Sequence, residues 1–464
     1  MNHHSHLLGL DVGTTNVKAV AFTPDGRATH AASRPTPTHA LPDGQGVHRA
    51  GDIWAVVCEV IRDAVKPLHG EVAGVAVASM GEEGFPLDAA GAPLSPAIVW
   101  HDTRTLPQAT RWQEQTDESR VYEISGLSPR PIYTVHKLAW LQEHEPDVWK
   151  SMRSWASISG YVSFRLSGAL CMDLSQASRT GLLDLRRRTW SEELLALARV
   201  PRDIFPRLVE SGAKIGEVTG EAARQTGLRG GTAVAAGGHD HICGALAAGI
   251  VGPGGMLHSG GTAEGVVVAL DEVVLSADTL RDSLSLGCHV VPGEYYATGG
   301  LHSGGVLNWY LNVTGGGDKR ESYIDLAEEA RTAPPGARGI TFLPYLYGQG
   351  PPASDPHAAG SFLGLRAHHS RSDLGRAVFE GLAYDARRLT DALRQDLALR
   401  IESVTAIGGL GRARLWSELK AALLNLPIRM LDTPEAVALG AAMIAGLAAD
   451  VYPDVARAIT ATQR

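Results

Sequence analysis

Asp240 stands where a predicted buried strand meets a predicted helix. Residues 232–236 form an apolar strand pattern, and small apolar residues continue in a helical pattern over 242–247. A carboxylate near the N-terminus of a helix tends to stay ionised, ready to accept a proton from an attacking hydroxyl. Asp240 is therefore the candidate general base of a group-transfer reaction. The sequence alone leaves open the alternative that Asp240 only caps the helix.

A second group of polar residues follows the first predicted strand of the chain. Asp11 ends that strand, and Gly13, Thr14, Thr15 and Lys18 come next. Backbone amides and threonine hydroxyls can donate to phosphoryl oxygens, an amine offsets their charge, and a carboxylate holds Mg²⁺ directly or through water. The pattern favours a nucleotide site, with an ordinary β-turn as the alternative.

A similar strand-turn-strand pattern recurs in the second half of the chain. Its turn contains Gly261 and Thr262, a small residue and a hydroxyl that suit contact with the distal phosphates of a nucleotide. Gly408 and Gly409 follow another predicted strand, where glycine allows the backbone to approach a flat ring or a phosphate. Such turns are common between strands, so each one supports a nucleotide site only in combination with the other phosphate-type turns.

Polar residues also follow two further predicted strands. Glu82 comes after one of them, and Trp100 and Asp102 come after the other. Carboxylates accept hydroxyl protons, and a tryptophan face packs on the C–H side of a sugar, so these residues suit a polyol pocket. The alternative for Asp102 is a surface salt bridge with Arg104.

Composition excludes several classes of function. The 464 residues carry 42 basic and 50 acidic side chains, a net charge of −8 with no basic stripe, which argues against nucleic acid as a partner. The four cysteines lie far apart without a CxxC pair, which fits reduced thiols in a cytosolic protein. We find no signal segment and no apolar run of about 18 residues, so we expect a cytoplasmic protein without a membrane partner.

The elements that position these residues alternate between strand and helix patterns along the chain, which predicts an α/β fold. The length exceeds what one core supports, so we expect two domains, at 1–248 and 249–464, with a loose boundary between them. Each domain contributes one phosphate-type turn. Helical patterns outside the motifs cover 52–65, 136–142, 190–198, 220–226 and 415–424.

The motifs taken together resemble the FGGY family of carbohydrate kinases over nearly the whole chain. The resemblance implies two actin-like, ribonuclease H-like ATPase domains around a central cleft that binds ATP, Mg²⁺ and a sugar. The motifs that carry it, in chain order, are LDVGTTNVK, WHDTR, GGHDHICGAL, LHSGGTAE, FLPYLYGQGPP, RAVFEGLAYD, IGGLGRARLW and TPEAVALGAA.

The resemblance also implies a role for each candidate residue. Asp240 matches the catalytic base, and Asp11 and Asp240 match the carboxylates near Mg²⁺. The residues implied for the nucleotide are Gly13, Thr14, Thr15, Lys18, Gly261, Thr262, Gly304, Gly408, Gly409 and Ala413, the last standing where several relatives have an adenine-facing Asn. The residues implied for the acceptor sugar are Glu82, Trp100, Asp102, His241 and, more loosely, Tyr133.

The resulting hypothesis is transfer of the γ-phosphoryl group of ATP to a hydroxyl of a ketose, either a pentulose or a 6-deoxyhexulose such as xylulose or L-fuculose, or to a polyol. A polyol or autoinducer-type kinase is the nearest alternative. From another class come an actin- or chaperone-like ATP-gated binding protein and an inactive sugar sensor. The sequence leaves open the sugar, the phosphorylated carbon and whether the chain forms a homodimer.

Overall fold

The computed structural model describes residues 6–42, 45–69, 71–261, 263–315, 322–433 and 435–463. The chain forms two compact units. Unit 1 comprises Met1–Gly249, Leu286–Tyr295 and Glu435–Arg464, and unit 2 comprises Ile250–Ser285 and Tyr296–Pro434. Unit 1 thus ends its first segment next to the predicted boundary, but it also includes 286–295 and 435–464, which the sequence pattern assigned to the second domain.

The strands, in chain order, are β1 (His6–Val12), β2 (Asn16–Phe22), β3 (Ala28–Pro35), β4 (Thr38–Ala40), β5 (Gly46–His48), β6 (Val72–Ser79), β7 (Gly84–Leu87), β8 (Ala97–Ile98), β9 (Ser154–Ser157), β10 (Cys171–Asp173), β11 (Leu183–Asp184), β12 (Thr189–Trp190), β13 (Arg207–Val209), β14 (Lys214–Glu217), β15 (Ala233–Ala235), β16 (Gly238–His239), β17 (Gly255–Gly260), β18 (Glu264–Leu270), β19 (Ser285–Cys288), β20 (Tyr295–Leu301), β21 (Thr341–Leu343), β22 (Ser361–Leu363), β23 (Ser403–Ile407) and β24 (Ile428–Met430).

The α-helices are α1 (Ala50–Val65), α2 (Leu106–Gln115), α3 (Glu118–Ser125), α4 (Thr134–His144), α5 (Pro146–Ser151), α6 (Ile158–Ser167), α7 (Leu174–Ala177), α8 (Glu192–Ala198), α9 (Gly220–Thr226), α10 (Asp240–Ala247), α11 (Ala277–Arg281), α12 (Ser303–Thr314), α13 (Tyr323–Ala330), α14 (Arg371–Asp396), α15 (Arg414–Leu424), α16 (Ala436–Ala448) and α17 (Val455–Thr462). The predicted helical segments coincide with α1, α4, α8, α9 and α15. Among the described residues, no helix is long and apolar enough to cross a membrane.

The main sheet of unit 1 has the strand order β14-β15-β6-β1-β2-β3, and β16 also pairs with β6. β1, β15 and β16 run parallel to β6, whereas β2 and β3 form an antiparallel meander beside β1. β1 and β6 are almost continuously buried because helices cover the sheet, which is why their sequences read as unbroken apolar runs. The carboxyl ends of β1, β6 and β16 consequently lie side by side.

Helix α16 explains why the C-terminal segment belongs to unit 1. It is rich in alanine and glycine, its sequence is apolar on nearly every side, and it packs against β1, β6 and α10. A Cβ atom at Gly9 of β1 would lie 1.8 Å from the carbonyl oxygen of Ala438, and one at Gly440 would lie 1.9 Å from that of Cys243. Small residues therefore let α16 approach both the sheet and the helix that begins with Asp240.

Helix α7 is a single turn that connects three segments of unit 1. Asp173 caps it, accepting from the amide of Gln176 at 3.0 Å and from the hydroxyl of Ser175 at 2.5 Å. The Ser175 hydroxyl accepts in turn from the amide of His239 at 2.9 Å, and the Gln176 amide group donates to the carbonyl of Ser79 at 3.1 Å. α7 thus holds the ends of β6 and β16 in place.

In unit 2, consecutive strands of the sheet follow the order β20-β18-β17-β23-β24. β17 and β18 form an antiparallel pair, whereas β23 and β24 continue the sheet in parallel. Helices α12 to α15 pack together over a core of buried aromatic and aliphatic side chains that includes Tyr310, Phe379 and Trp416. Both predicted strand-turn-strand patterns are therefore present, one in each unit.

We predict that Gly440→Ala lowers the thermal unfolding midpoint by several degrees. Alanine normally favours a helix over glycine, but here the new methyl would overlap the Cys243 carbonyl, and overpacking of this kind costs about 1–3 kcal/mol. Differential scanning calorimetry measures the effect. The matched control is Gly51→Ala in α1, where a Cβ meets no atom within 4 Å; equal midpoints for the two variants would show that α16 does not need this contact.

The stability of the folded chain is predicted to depend on pH through the buried carboxyl of Asp173. Burial raises the pKa of Asp173 from 3.8 to about 6, against the opposing hydrogen bonds from Ser175 and Gln176. Between these two values the native state keeps a proton that the unfolded chain has lost, so native stability falls as pH rises, by up to roughly 3 kcal/mol.

Asp173→Asn is expected to remove that loss, because the amide stays neutral and its oxygen still caps α7. In urea unfolding at pH 4, 5 and 7, the free energy of unfolding of the variant should exceed that of the wild type by an amount that grows with pH. A difference that stays constant across this range would contradict the buried carboxyl as its source.

Candidate active site

The two candidate carboxylates of unit 1 come from neighbouring strand ends. In the parallel register, Asp11 of β1 stands opposite Ala78 of β6, and on the other side of β6 His239 stands opposite Ser79. Asp240 follows directly as the first residue of α10. Because polar groups at the carboxyl ends of parallel strands converge at one edge, the fold brings Asp11 and Asp240 into one neighbourhood.

The electrostatics of Asp11 reflect that convergence. Burial first, and the negative charge of Asp240 second, raise the pKa of Asp11 from 3.8 to about 7, while the Lys18 ammonium opposes the rise. The Lys18 amine itself forms an ion pair with Glu435 at 2.8 Å, just before α16. Two carboxylates therefore lie at this edge of the sheet, and the nearby Lys18 ammonium is already paired with Glu435.

The carboxylate of Asp240 is held at the start of α10. Its Oδ1 accepts from the amide of His241 at 2.6 Å and lies 3.1 Å from Nδ1 of His239. The residue at the N-cap position is His239, whose side chain makes no capping hydrogen bond, so Asp240 lies one residue inside the helix. Asp240 is half-buried, which leaves part of its carboxylate open to a ligand.

The turn between β1 and β2 carries the first set of predicted phosphate contacts. The Gly13 amide donates to the carbonyl of Asn16 at 3.1 Å, and the hydroxyl of Thr36 donates to the Gly13 carbonyl at 2.6 Å, which fixes a tight turn. Thr14 is half-buried and Thr15 is exposed. The backbone and hydroxyls of this turn are therefore accessible at the same strand end as Asp11.

Trp100 links this turn to the predicted acceptor residues. Its indole N–H donates to the Thr14 hydroxyl oxygen at 3.0 Å, and its own amide donates to the carboxylate of Glu83 at 2.9 Å. The other Glu83 oxygen lies 2.7 Å from Nδ1 of the buried His48. Glu83 and His48 thus set the position of Trp100. Sequence reasoning grouped Glu83 with Glu82 as a carboxylate suited to a polyol pocket, and it assigned no role to His48.

Glu82 belongs to a separate buried ion pair. Its backbone has φ = 65°, which is uncommon for a residue with a side chain and turns the chain sharply after β6. The Nε of Arg179 donates to the Glu82 carboxylate at 2.6 Å, and the guanidinium lies 5.3 Å from the ring centroid of Tyr133. Sequence reasoning missed Arg179, because its segment, 174–180, carries no recognisable motif.

Asp102 differs from the other predicted acceptor residues. Arg104 donates to both of its carboxylate oxygens, at 3.0 and 2.7 Å, and the amide of Gly46 donates to Oδ2 at 2.9 Å. Burial raises the pKa of Asp102, but these donors outweigh it and hold the pKa below its usual value. The salt-bridge alternative is therefore what the structure contains, buried rather than at the surface, and Asp102 is committed to structure.

Unit 2 holds most of the predicted nucleotide residues. The Gly261 amide donates to the carbonyl of Ala263 at 3.0 Å in the turn after β17. Gly408 has φ = 87°, and a Cβ there would lie 2.2 Å from the carbonyl oxygen of Gly260, so glycine is required. Gly409 has open space around it. The backbone at Gly260 therefore packs against the turn at 408–409.

The remaining nucleotide candidates have different surroundings. Gly304 lies in the first turn of α12 and is buried. Ala413 is fully buried in the hydrophobic core of unit 2, so its methyl group has no surface to offer, and we leave it out of the nucleotide contacts proposed below. Thr262 lies outside the described residues.

Comparison with known proteins identifies the family. The sequence matches the N-terminal domain of the FGGY family of carbohydrate kinases over residues 6–247 and its C-terminal domain over residues 256–449. A xylulose kinase from Lactococcus lactis is 31% identical, with 98% of this chain and 90% of the relative covered. An autoinducer-2 kinase from Klebsiella pneumoniae is also 31% identical, with 97% and 87% covered.

Solved structures agree with these relatives. The xylulose kinase from Rhodospirillum rubrum superposes with a TM-score of 0.89 at 29% identity, covering 99% of this chain and 93% of that one. The glycerol kinase from Plasmodium falciparum with ADP, at 19% identity, shares the fold with a TM-score of 0.90. The predicted fold class is confirmed, and the chain belongs to the FGGY family of carbohydrate kinases, which use ATP as the phosphoryl donor.

Proposed function

We propose that this kinase phosphorylates a hydroxyl of a ketose, with xylulose as the first candidate, and that Asp240 is the general base. The relatives named xylulose kinase support the acceptor class. The observation that carries the proposal is the placement of a partly exposed Asp240 near Asp11, at the carboxyl ends of two parallel strands that flank β6. Phosphoryl transfer depends on such positioning more than on covalent chemistry by the protein.

One bond forms and one bond breaks in the proposed step. The acceptor oxygen bonds to the γ-phosphorus of ATP, the bond between that phosphorus and the β,γ-bridging oxygen breaks, and ADP leaves with its electron pair. The hydroxyl proton passes to the carboxylate of Asp240. The amide of His241, which donates to Oδ1 of Asp240 at 2.6 Å, holds that carboxylate at the start of α10.

The residues present fit a magnesium ion. Asp11 and Asp240 supply oxygen donors, the type that Mg²⁺ prefers, and a cation between them would counteract the burial and the charge of Asp240 that raise the pKa of Asp11. Asp11 and Asp240 would hold the ion, directly or through water. Bound there, Mg²⁺ would neutralise charge on the phosphate oxygens of ATP.

The acceptor pocket that we propose contains Glu82, Trp100, Tyr133 and His241. Arg179 balances the charge of Glu82, so the pocket presents hydrogen-bonding groups without a large net charge, which suits a neutral polyhydroxylated molecule. The aromatic faces of Trp100 and Tyr133 suit the C–H groups of such a molecule. Asp102 is omitted because both of its oxygens are occupied.

The nucleotide contacts that we propose are the turn at 13–15 with Lys18 in unit 1, and Gly261, Gly304, Gly408 and Gly409 in unit 2. Support comes from the open backbone around Gly409 and from the glycine requirement at Gly408. Thr262 is kept as a contact on the family motif alone.

A second acceptor class is favoured by the autoinducer-2 kinase relative, whose identity equals that of the first xylulose kinase. A coupled assay of ADP release across ketoses, polyols and linear hydroxylated signal molecules separates the two. The highest kcat/KM is expected for a ketopentose. A flat profile across all acceptors would instead support the inactive sensor.

We predict that Asp240→Asn lowers kcat by roughly 10²–10⁴-fold, because the amide cannot accept the hydroxyl proton. The dissociation constant of a non-hydrolysable ATP analogue should change by less than about threefold, and the unfolding midpoint should not fall. Stopped-flow kinetics and calorimetry measure these quantities.

The matched control is Asp102→Asn, which leaves the buried Arg104 without its charge partner. It should lower the unfolding midpoint clearly, whereas Asp240→Asn should not. An Asp240→Asn enzyme with the wild-type rate would exclude the proposed base.

A further inference from the structure

A charged cluster lies fully buried in unit 2, next to the turn that carries Gly261. The Lys420 ammonium donates to Oε1 of Glu264, and Nδ1 of His258 lies 2.5 Å from the same oxygen. The side chains of all three residues are completely inaccessible to solvent. The Lys420 Nζ also lies 4.1 Å from the ring centroid of Trp416, a cation–π contact.

Such a cluster is costly to build. Each buried ion loses its hydration, and apolar side chains of similar volume often stabilise a core as well or better. Stability alone therefore does not account for an ion pair at this place. The positions of the members in the fold suggest what else it does.

The carboxylate of Glu264 joins three elements of unit 2. Glu264 begins β18, shortly after Gly261, and Lys420 lies on α15. Ser303 is the first residue of α12, and its hydroxyl donates to Oε2 of Glu264 at 2.5 Å. One carboxylate thus connects the phosphate-type turn, the first turn of α12 with Gly304, and a core helix.

The charge state of Glu264 suits this role. Burial alone would raise its pKa, but the Lys420 ammonium prevails and holds the pKa below the usual value for a glutamate. The carboxylate therefore stays ionised throughout the physiological range, and both oxygens can accept hydrogen bonds. Hydrogen bonds to an ionised acceptor are stronger and shorter than hydrogen bonds between neutral groups, so Glu264 holds its donors firmly in place.

We infer that Glu264 is a positioning residue for the nucleotide. Together with Lys420 and Ser303, it fixes the start of β18, shortly after Gly261, relative to the first turn of α12, so that the backbone at Gly261 and at Gly304 is pre-organised for one ATP molecule. This inference rests on the proposed function, in which Gly261 and Gly304 contact the nucleotide. Pre-organisation of this kind increases affinity by removing the cost of ordering the segments on binding.

The most direct test is Ser303→Ala, which removes the bond from α12 and leaves the Lys420–Glu264 pair intact. The dissociation constant of a non-hydrolysable ATP analogue, measured by isothermal titration calorimetry, should rise about tenfold. The KM for the sugar acceptor at saturating ATP should stay within about twofold. A purely structural role would lower the unfolding midpoint without this selective loss of nucleotide affinity.

The matched control is Thr390→Ala, which removes another buried hydroxyl of unit 2, on α14, where it donates to the carbonyl of Ala386 at 2.8 Å. This variant should bind the analogue with wild-type affinity. If Ser303→Ala does not fold, the double variant Glu264→Gln/Lys420→Met removes both charges together while keeping side-chain volume, and it should show the same selective loss.

The outcomes separate this inference from the proposed function. Wild-type affinity for the analogue in both folded variants, alongside normal phosphorylation of the sugar, would overturn the positioning role alone. A wild-type protein that bound no ATP analogue would overturn the proposed function and, with it, this inference.

Discussion

Unit 1 has to hold two carboxylates, Asp11 and Asp240, at one edge of its main sheet. β1, which carries Asp11, and β16, which precedes Asp240, lie on either side of β6, and burial first and the charge of Asp240 second raise the pKa of Asp11 to about 7. Movement of either strand end would separate the two like charges. The surrounding elements prevent this, since α16 packs on β1 and α10, and α7 holds the ends of β6 and β16. The packing of α16 and the hydrogen bonds of α7 therefore keep the two carboxylates at this edge of the sheet.

Other buried carboxylates, by contrast, are each paired with a cation or with hydrogen-bond donors. Glu82 is balanced by Arg179, Glu83 by its donors His48 and Trp100, and Glu264 by Lys420. Glu82 and Glu83 lie between β6 and β7, and Glu264 is the first residue of β18, so each of these carboxylates stands where a loop meets a strand. In the function proposed above, these pairs position the polar segments that contact the sugar and the nucleotide.

Local patterns were sufficient to predict the strands that carry the motifs, namely β1, β2, β6, β15, β17, β18 and β23, because alternation and glycine position are encoded within a few residues. They also predicted the turns after β1 and β17 and the position of Asp240 at a strand-to-helix transition. Long-range partners were not predictable in this way. Nothing near Arg179 indicates its partner Glu82, which lies more than ninety residues away in the sequence. Nothing near Lys420 indicates its partner Glu264, which lies more than a hundred and fifty residues away. The return of α16 to unit 1 was missed for the same reason. The family motifs implied ligand contacts for Asp102 and Ala413, but the burial of both residues depends on neighbours that those motifs do not contain.

The central claim, phosphoryl transfer to a ketose hydroxyl at the Asp11–Asp240 edge, is tested most directly by following the phosphorus itself. In ³¹P NMR of the wild-type protein with MgATP and xylulose, a phosphomonoester signal should grow in step with ADP, with inorganic phosphate staying near background. Growth of ADP and inorganic phosphate without a phosphomonoester, for xylulose and for every other ketose or polyol supplied, would contradict it.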